Sequence, residues 1–166
     1  VAEMFLAHEI RKGGGKGMFL APLRALAQEK IDQWTDSEYH FKDINVSICT
    51  GDYRITPDRQ KELNNSNLII MTSEMLNHRA RNMASEKSNY LKDIGTLVID
   101  ESHLLTVPSR GEHLEVGLMK FTEINPNCRI VLLSATMPNV NQIAEWLSYS
   151  LNKKQTYVLN SEYTFP

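Results

Sequence analysis

Short apolar runs alternate along the chain with longer stretches in which apolar residues recur every three or four positions. Met18–Ala21, Val46–Cys49, Leu68–Met71, Leu97–Ile99, Ile130–Leu133 and Tyr157–Leu159 read as strands. The period of the remaining segments predicts helices over Val1–Lys12, Leu23–Trp34, Pro57–Leu63, Glu74–Met83, Glu112–Glu123 and Val140–Tyr149. Their starts carry suitable residues: Pro22 for a first helical position, Thr72 or Ser73 as a cap before Glu74, and Asn139 with Gln142 at capping-box spacing. The strands are apolar throughout instead of alternating, which is the pattern of a parallel sheet covered by helices on both faces. An α/β fold is expected.

Polar clusters follow the strands directly. Pro22-Leu23-Arg24, Thr50-Gly51-Asp52, Thr72-Ser73-Glu74, Asp100-Glu101-Ser102-His103 and Ser134-Ala135-Thr136 each begin where an apolar run ends. In a parallel sheet this puts all of them at the carboxyl edge, where helix N-termini and loops offer free donors to a ligand. Any one cluster also reads as turn and capping chemistry. Their shared position after successive strands is what points to a site.

Composition narrows the function classes. With 166 residues, 42% apolar and 23% charged, the chain fits one globular domain. A formal net charge of −2 argues against holding nucleic acid through a broad basic surface, so contacts to a strand must be local. Cys49 and Cys128 are too few and too far apart for a disulfide framework or a zinc cluster and read as packed residues. No apolar run is long enough for a membrane span and no secretory leader is evident, so an intracellular protein is expected, cytoplasmic or nuclear, with no membrane partner.

The Asp100-Glu101 pair ends the apolar run Thr96–Ile99. Unpaired charge at a buried strand end is costly, so a cation is the natural partner. Nucleotide hydrolysis needs one carboxylate to hold Mg²⁺, directly or through water, and another to orient the attacking water. A zinc site on His103 and His113 is the weaker reading, because their spacing fits neither a helical pair nor a finger.

The order Ala21-Pro22-Leu23-Arg24-Ala25-Leu26-Ala27, Thr50-Gly51-Asp52, Thr72-Ser73-Glu74, Asp100-Glu101-Ser102-His103, Ser134-Ala135-Thr136 resembles the first RecA-like domain of superfamily 2 DExH-box helicases. Leu104-Leu105, Arg110-Gly111, Leu114-Glu115 and Met137-Pro138-Asn139 with Ile143–Leu147 are similar to the Ski-two-like branch, the type of the archaeal DNA-repair helicases. The resemblance implies an ATP-dependent motor on single-stranded nucleic acid, with DNA slightly favoured over RNA. It implies that Asp100 serves Mg²⁺ and Glu101 is the base or water-orienting group. His103, Ser134 and Thr136 would couple nucleotide state to the strand. Arg24, Gly51, Asp52, Thr72 and Ser73 would contact the sugar-phosphate backbone.

Two departures qualify this. The sequence contains no GxxxxGK[ST] phosphate loop; Gly13-Gly14-Gly15-Lys16-Gly17 precedes a strand and reads as a helix-to-strand turn. The implied arrangement is a partial domain over 1–160, its phosphate-loop strand missing upstream and its sheet left with a gap or unpaired edges. Residues 161–166 would lead towards a second RecA-like domain that supplies the remaining ATP contacts, and Tyr163-Thr164-Phe165-Pro166 lacks the arginine often found there. The segment alone is then expected to be inactive. The alternative is a non-hydrolysing nucleic-acid-binding module that keeps only the strand-contacting edge.

Overall fold

Glycine's freedom at positive φ sets the first boundary. In the computed structural model, which describes residues 1–36, 38–39, 41, 43–51, 56–82, 86–152 and 155–159, helix α1 (Ala2–His8) widens into a π-helical turn over Glu9–Gly13. It stops at Gly14, φ 61°. Strand β1 (Lys16–Ala21) follows. Lys16 stands at the amino end of β1, where its ammonium donates to the Asn64 carbonyl and lies 4.0 Å from Asp93. The glycine-rich run is therefore a turn at the opposite end of the strand from the acid pair.

Strands β2 (Val46–Cys49), β3 (Leu68–Thr72), β4 (Ile94–Ile99) and β5 (Arg129–Leu132) join β1 in one parallel sheet, order β2-β3-β1-β4-β5. The five strands are contiguous, so of the expected gap or unpaired edges it is unpaired outer edges that the described residues show. β5 is the least covered strand, with Arg129 exposed and Ile130, Val131 and Leu132 only half-buried. The expected strand over Tyr157–Leu159 does not form. Tyr157 and Leu159 are 81% and 92% exposed, and an apolar triplet becomes a strand only against a neighbour that takes its backbone groups.

Helices α2 (Arg24–Thr35), α3 (Pro57–Asn65), α4 (Ser73–Arg81), α5 (Arg110–Ile124) and α6 (Val140–Tyr149) lie close to where the periodicity puts them. Short 3₁₀ segments over Glu86–Asp93 and Ser102–Thr106 have no such signal. Thr56 caps α3 by accepting from the Arg59 N–H at 3.2 Å. Thr72 and Asn139 occupy N-cap positions without a side-chain cap bond, and α2 starts beyond Pro22.

The pleat divides the core. On one face Phe19, Ala21, Ile48, Leu68, Ile70 and Val98 pack with Leu6 of α1 and with Ala27 and Trp34 of α2. The Trp34 ring meets Phe19 and Phe41 edge-on, at 5.2 and 5.5 Å, and its N–H donates to Glu3 at 3.0 Å, so the buried indole is satisfied. Met18, Leu20, Ile69, Met71, Leu97 and Ile99 alternate to the other face, that of α4 and α5. There Gly117 lets α5 approach so closely that a Cβ on it would stand 3.2 Å from the Asn77 backbone nitrogen.

The chain divides into a unit over Val1–Ala135, which holds the sheet, and a unit over Thr136–Pro166. In the latter, α6 buries Ile143 and Leu147, and the Ser148 hydroxyl donates to Thr156 Oγ1 at 3.0 Å. Residues 161–166 lie outside the described residues. No helix among the described residues is long and apolar enough to cross a membrane.

Candidate functional site at the carboxyl edge

Strand register decides which loops meet. Ala21 is level with Thr72, Leu20 with Ile99, Ile99 with Leu132, and Cys49 with Met71. The strands thus end together, and Pro22–Arg24, Thr50–Gly51, Thr72–Ser73, Asp100–His103 and Ser134 all emerge from one edge of the Val1–Ala135 unit. Asp52 lies outside the described residues, and Thr136 belongs to the second unit.

The acid pair occupies a short turn between β4 and the 3₁₀ segment Ser102–Thr106. Asp100 donates its N–H to the Leu20 carbonyl at 3.1 Å, while its Oδ1 accepts the Glu101 N–H at 3.1 Å. Glu101 has φ 50° and ψ 44°, a left-handed conformation that costs a non-glycine residue roughly 1–3 kcal/mol. The turn is closed from β5. Leu133 donates its N–H to the Ile99 carbonyl at 2.9 Å, and its own carbonyl accepts both the N–H and the hydroxyl of Ser102, at 2.8 and 2.9 Å. Leu133 and Ser102 have no mark in the sequence beyond a strand end and the variable place of the Asp-Glu-x-His run; parallel pairing of β4 with β5 is what joins them.

His103 stands between two of these loops. Its Nδ1 lies 3.1 Å from the Glu101 carboxylate and 3.4 Å from the Ser134 hydroxyl. All three side chains are partly solvent-accessible, so the cluster is open to a ligand. His113 is turned to other work, 3.2 Å from the Asn77 amide, which also accepts from Arg81 at 2.8 Å. The two histidines therefore have separate partners, and among the described residues no three His, Cys, Asp or Glu side chains group as metal ligands.

At the β2 side the Arg24 guanidinium, on the first residue of α2, lies directly against Gly51. Thr72 ends β3 and is buried, and Ser73 opens α4 half-exposed. Between these loops is a small open hollow lined by Pro22, Ser73, Glu74, Asp100, Leu104 and Leu114, among others. Glu74, the last residue of the cluster that follows β3, shares this hollow with Asp100. Behind the edge, Cys49 Sγ is 4.0 Å from the Tyr90 hydroxyl, and burial raises the pKa of both. Cys49 and Cys128 are buried free thiols, as packed residues should be.

With this geometry in view, the likeness to known proteins is extensive. The DEAD/DEAH box helicase family model matches residues 1–143. The chain is 38% identical over 154 residues to the ATP-dependent DNA helicase Hel308 of Methanocella arvoryzae, covering 91% of this chain and 20% of that protein. It is 41% identical over 138 residues to Hel308 of Methanococcus vannielii, covering 83% and 17%. The chain thus spans about a fifth of the length of these relatives. Among solved structures, the helicase MrfA superposes with a TM-score of 0.70 at 22% identity, over 86% of this chain and 23% of that one. The Pyrococcus furiosus Hef helicase domain gives 0.66 at 18%, over 91% and 30%, and both likenesses speak for the RecA-like fold. By its motifs, its sheet and these relatives, the chain belongs to the DEAD/DEAH box helicases of superfamily 2, in the Ski-two-like branch.

Proposed function

We propose that this chain is the greater part of the first motor domain of an ATP-dependent helicase that moves on single-stranded nucleic acid, with DNA slightly favoured over RNA. The observation that carries the reading is the Asp100-Glu101 turn, strained at Glu101, fastened to two neighbouring strands, and linked through His103 to Ser134. A fold retains strain where the site uses it.

The donor set suits Mg²⁺ held with a nucleotide. That ion binds through one or two carboxylates and the substrate's own phosphates, and it neutralises charge on the β and γ oxygens when bound. Asp100 would hold it, directly or through water; among the described residues only its Oδ1 accepts a hydrogen bond. Glu101 orients or deprotonates the attacking water. His103 shares its Nδ1 between Glu101 and Ser134, so a change at the phosphates is felt at the exit of β5. Thr136 is assigned to the same coupling segment. Arg24, Gly51, Asp52, Thr72 and Ser73 hold sugar and phosphate without reading sequence, using a guanidinium, a bare backbone, hydroxyls and the α4 N-terminus.

The topology supports a place for the phosphate loop. α2 carries the chain from β1 towards β2 across one face, and α1 shares that face. Because parallel crossovers are right-handed, a strand preceding α1 would lie on the β4 and β5 side of β1. Its vacant position is beyond β5, beside Ser134 and the acid pair. The domain over 1–160 would then be completed at the β5 edge, with 161–166 leading to a second RecA-like domain. The test is ATP hydrolysis and strand displacement by the full-length protein on tailed DNA and RNA duplexes. Stimulation by single strand supports the reading, and binding of strand without any hydrolysis overturns it.

A further inference from the structure

Both backbone groups of Glu101 are engaged locally: its N–H with Asp100 Oδ1 at 3.1 Å, and its carbonyl with the Leu104 N–H at 3.0 Å. Neither bond fixes the residue relative to the sheet. That task falls to its neighbours in sequence, and the residue after it, Ser102, is fully buried. The carbonyl of Leu133 has two lone pairs, and Ser102 fills both, one from its N–H and one from its hydroxyl. On the other side of the pair, Ile99 accepts from Leu133. Asp100 and Glu101 are therefore bracketed by residues tied to a single position on the chain leaving β5, and the next residue on that chain is Ser134.

We infer that Ser102 is a positioning residue for hydrolysis: its hydroxyl sets the angle at which the Glu101 turn leaves the sheet and locks that turn to the segment carrying Ser134. An alanine at this place keeps the backbone bond but loses the second donor, leaving the turn free to pivot about one contact. The inference rests on the reading of Glu101 as the hydrolytic carboxylate.

The experiment uses the full-length protein and compares steady-state ATP hydrolysis at saturating single strand. In Ser102→Ala the Leu133 carbonyl keeps its backbone donor, so the melt should fall by no more than roughly a few degrees. The kcat should fall roughly three- to tenfold, the worth of one misplaced or lost hydrogen bond, while KM for ATP and strand affinity hold. Ser102→Thr, which returns the hydroxyl, should recover kcat. Ser102→Cys, similar in shape but a weak donor, should fall in the same direction and serves if the alanine variant melts early. Parental kcat in both the alanine and cysteine variants overturns the inference. So does a joint loss of kcat, ATP affinity and melting temperature that threonine fails to repair, since that marks general damage. Glu101→Gln is measured alongside. Parental hydrolysis in that variant overturns the reading of Glu101 and this inference with it. If Glu101→Gln is inactive while Ser102→Ala turns over at the parental rate, the inference alone is lost.

Discussion

Arg24 lies over Gly51 so closely that a Cβ added to the glycine would stand 2.8 Å from Arg24 Nη2. A side chain at 51 must displace the guanidinium. Because that group is the far end of a flexible side chain, Gly51→Ala should change folding stability by less than about 0.5 kcal/mol. Single-strand affinity should nevertheless fall, since the guanidinium no longer stands where the glycine leaves the backbone open. Arg24→Ala removes the charge itself. It should weaken binding evenly across sequences and lower the slope of log affinity against log salt by about 0.7. Fluorescence anisotropy across a salt series in full-length protein checks both; an unchanged slope in Arg24→Ala removes Arg24 from the phosphate contacts.

The two members of the acid pair should separate by function. Glu101→Gln keeps the shape of the site, so nucleotide affinity should hold while hydrolysis falls by roughly a hundredfold or more. Asp100→Asn should instead weaken the Mg²⁺-dependent part of nucleotide binding, because an amide is a poorer partner for a hard cation. ATPase rates and nucleotide titrations with and without Mg²⁺, on variants that melt like the parent, decide the matter. If both substitutions change only the melt, the acids merely hold the turn.

Alkaline pH should destabilise the sheet unit from its β2 side. Burial raises the pKa of the Cys49 thiol and of the Tyr90 phenol, each above its ordinary value of 9.0 and 10.0, while the nearby Arg79 guanidinium offsets part of the rise. A raised folded-state pKa favours the protonated form in the native protein. The stabilisation is complete below the ordinary values and is lost as pH rises above them, because the unfolded chain ionises first. Melting temperature should therefore drop progressively above about pH 9, and Tyr90→Phe should flatten the later part of the fall. A flat profile to about pH 11 in the parent contradicts the burial of both groups.

Much of this arrangement is legible in the sequence. Near-continuous apolar runs mark a parallel sheet, and once the sheet is parallel the residue after each run has only one edge to occupy. That is why Arg24, Gly51, Ser73, Asp100 and Ser134 could be grouped from the sequence. Order across the sheet is not legible, since periodicity says nothing about which strands are neighbours; for that reason the sequence leaves a gap and unpaired edges as alternatives, and the sheet shows the edges. The grip of Leu133 on Ile99 and Ser102 was hidden for the same cause. Tyr157–Leu159 forms no strand despite its pattern, because an apolar triplet carries no information about whether a partner strand awaits it.

The last prediction concerns the open side of β5. Ile130, Val131 and Leu132 are apolar yet only half-buried, and among the described residues β5 pairs with β4 alone. Its outer backbone groups form an unpaired ladder beside apolar side chains, the arrangement that recruits another strand. Expressed as these 166 residues, the chain should self-associate or melt broadly, and it should bind Mg·ATP weakly without turnover, since its sequence has no phosphate loop. Extending the segment at its amino end to include a phosphate-loop strand, if the β5 edge receives it, should cure both defects together: a monodisperse monomer, a sharp melt and tighter nucleotide binding. Val131→Lys offers an independent check, because an inward charge on an edge strand blocks pairing. It should lower self-association of the 166-residue chain and also impair the extended one, where the same position becomes interior. Sedimentation and calorimetry on the two lengths, with and without the substitution, give the answer. A sharp cooperative melt from a monodisperse monomer of the shorter chain would show that the β5 edge needs no further strand.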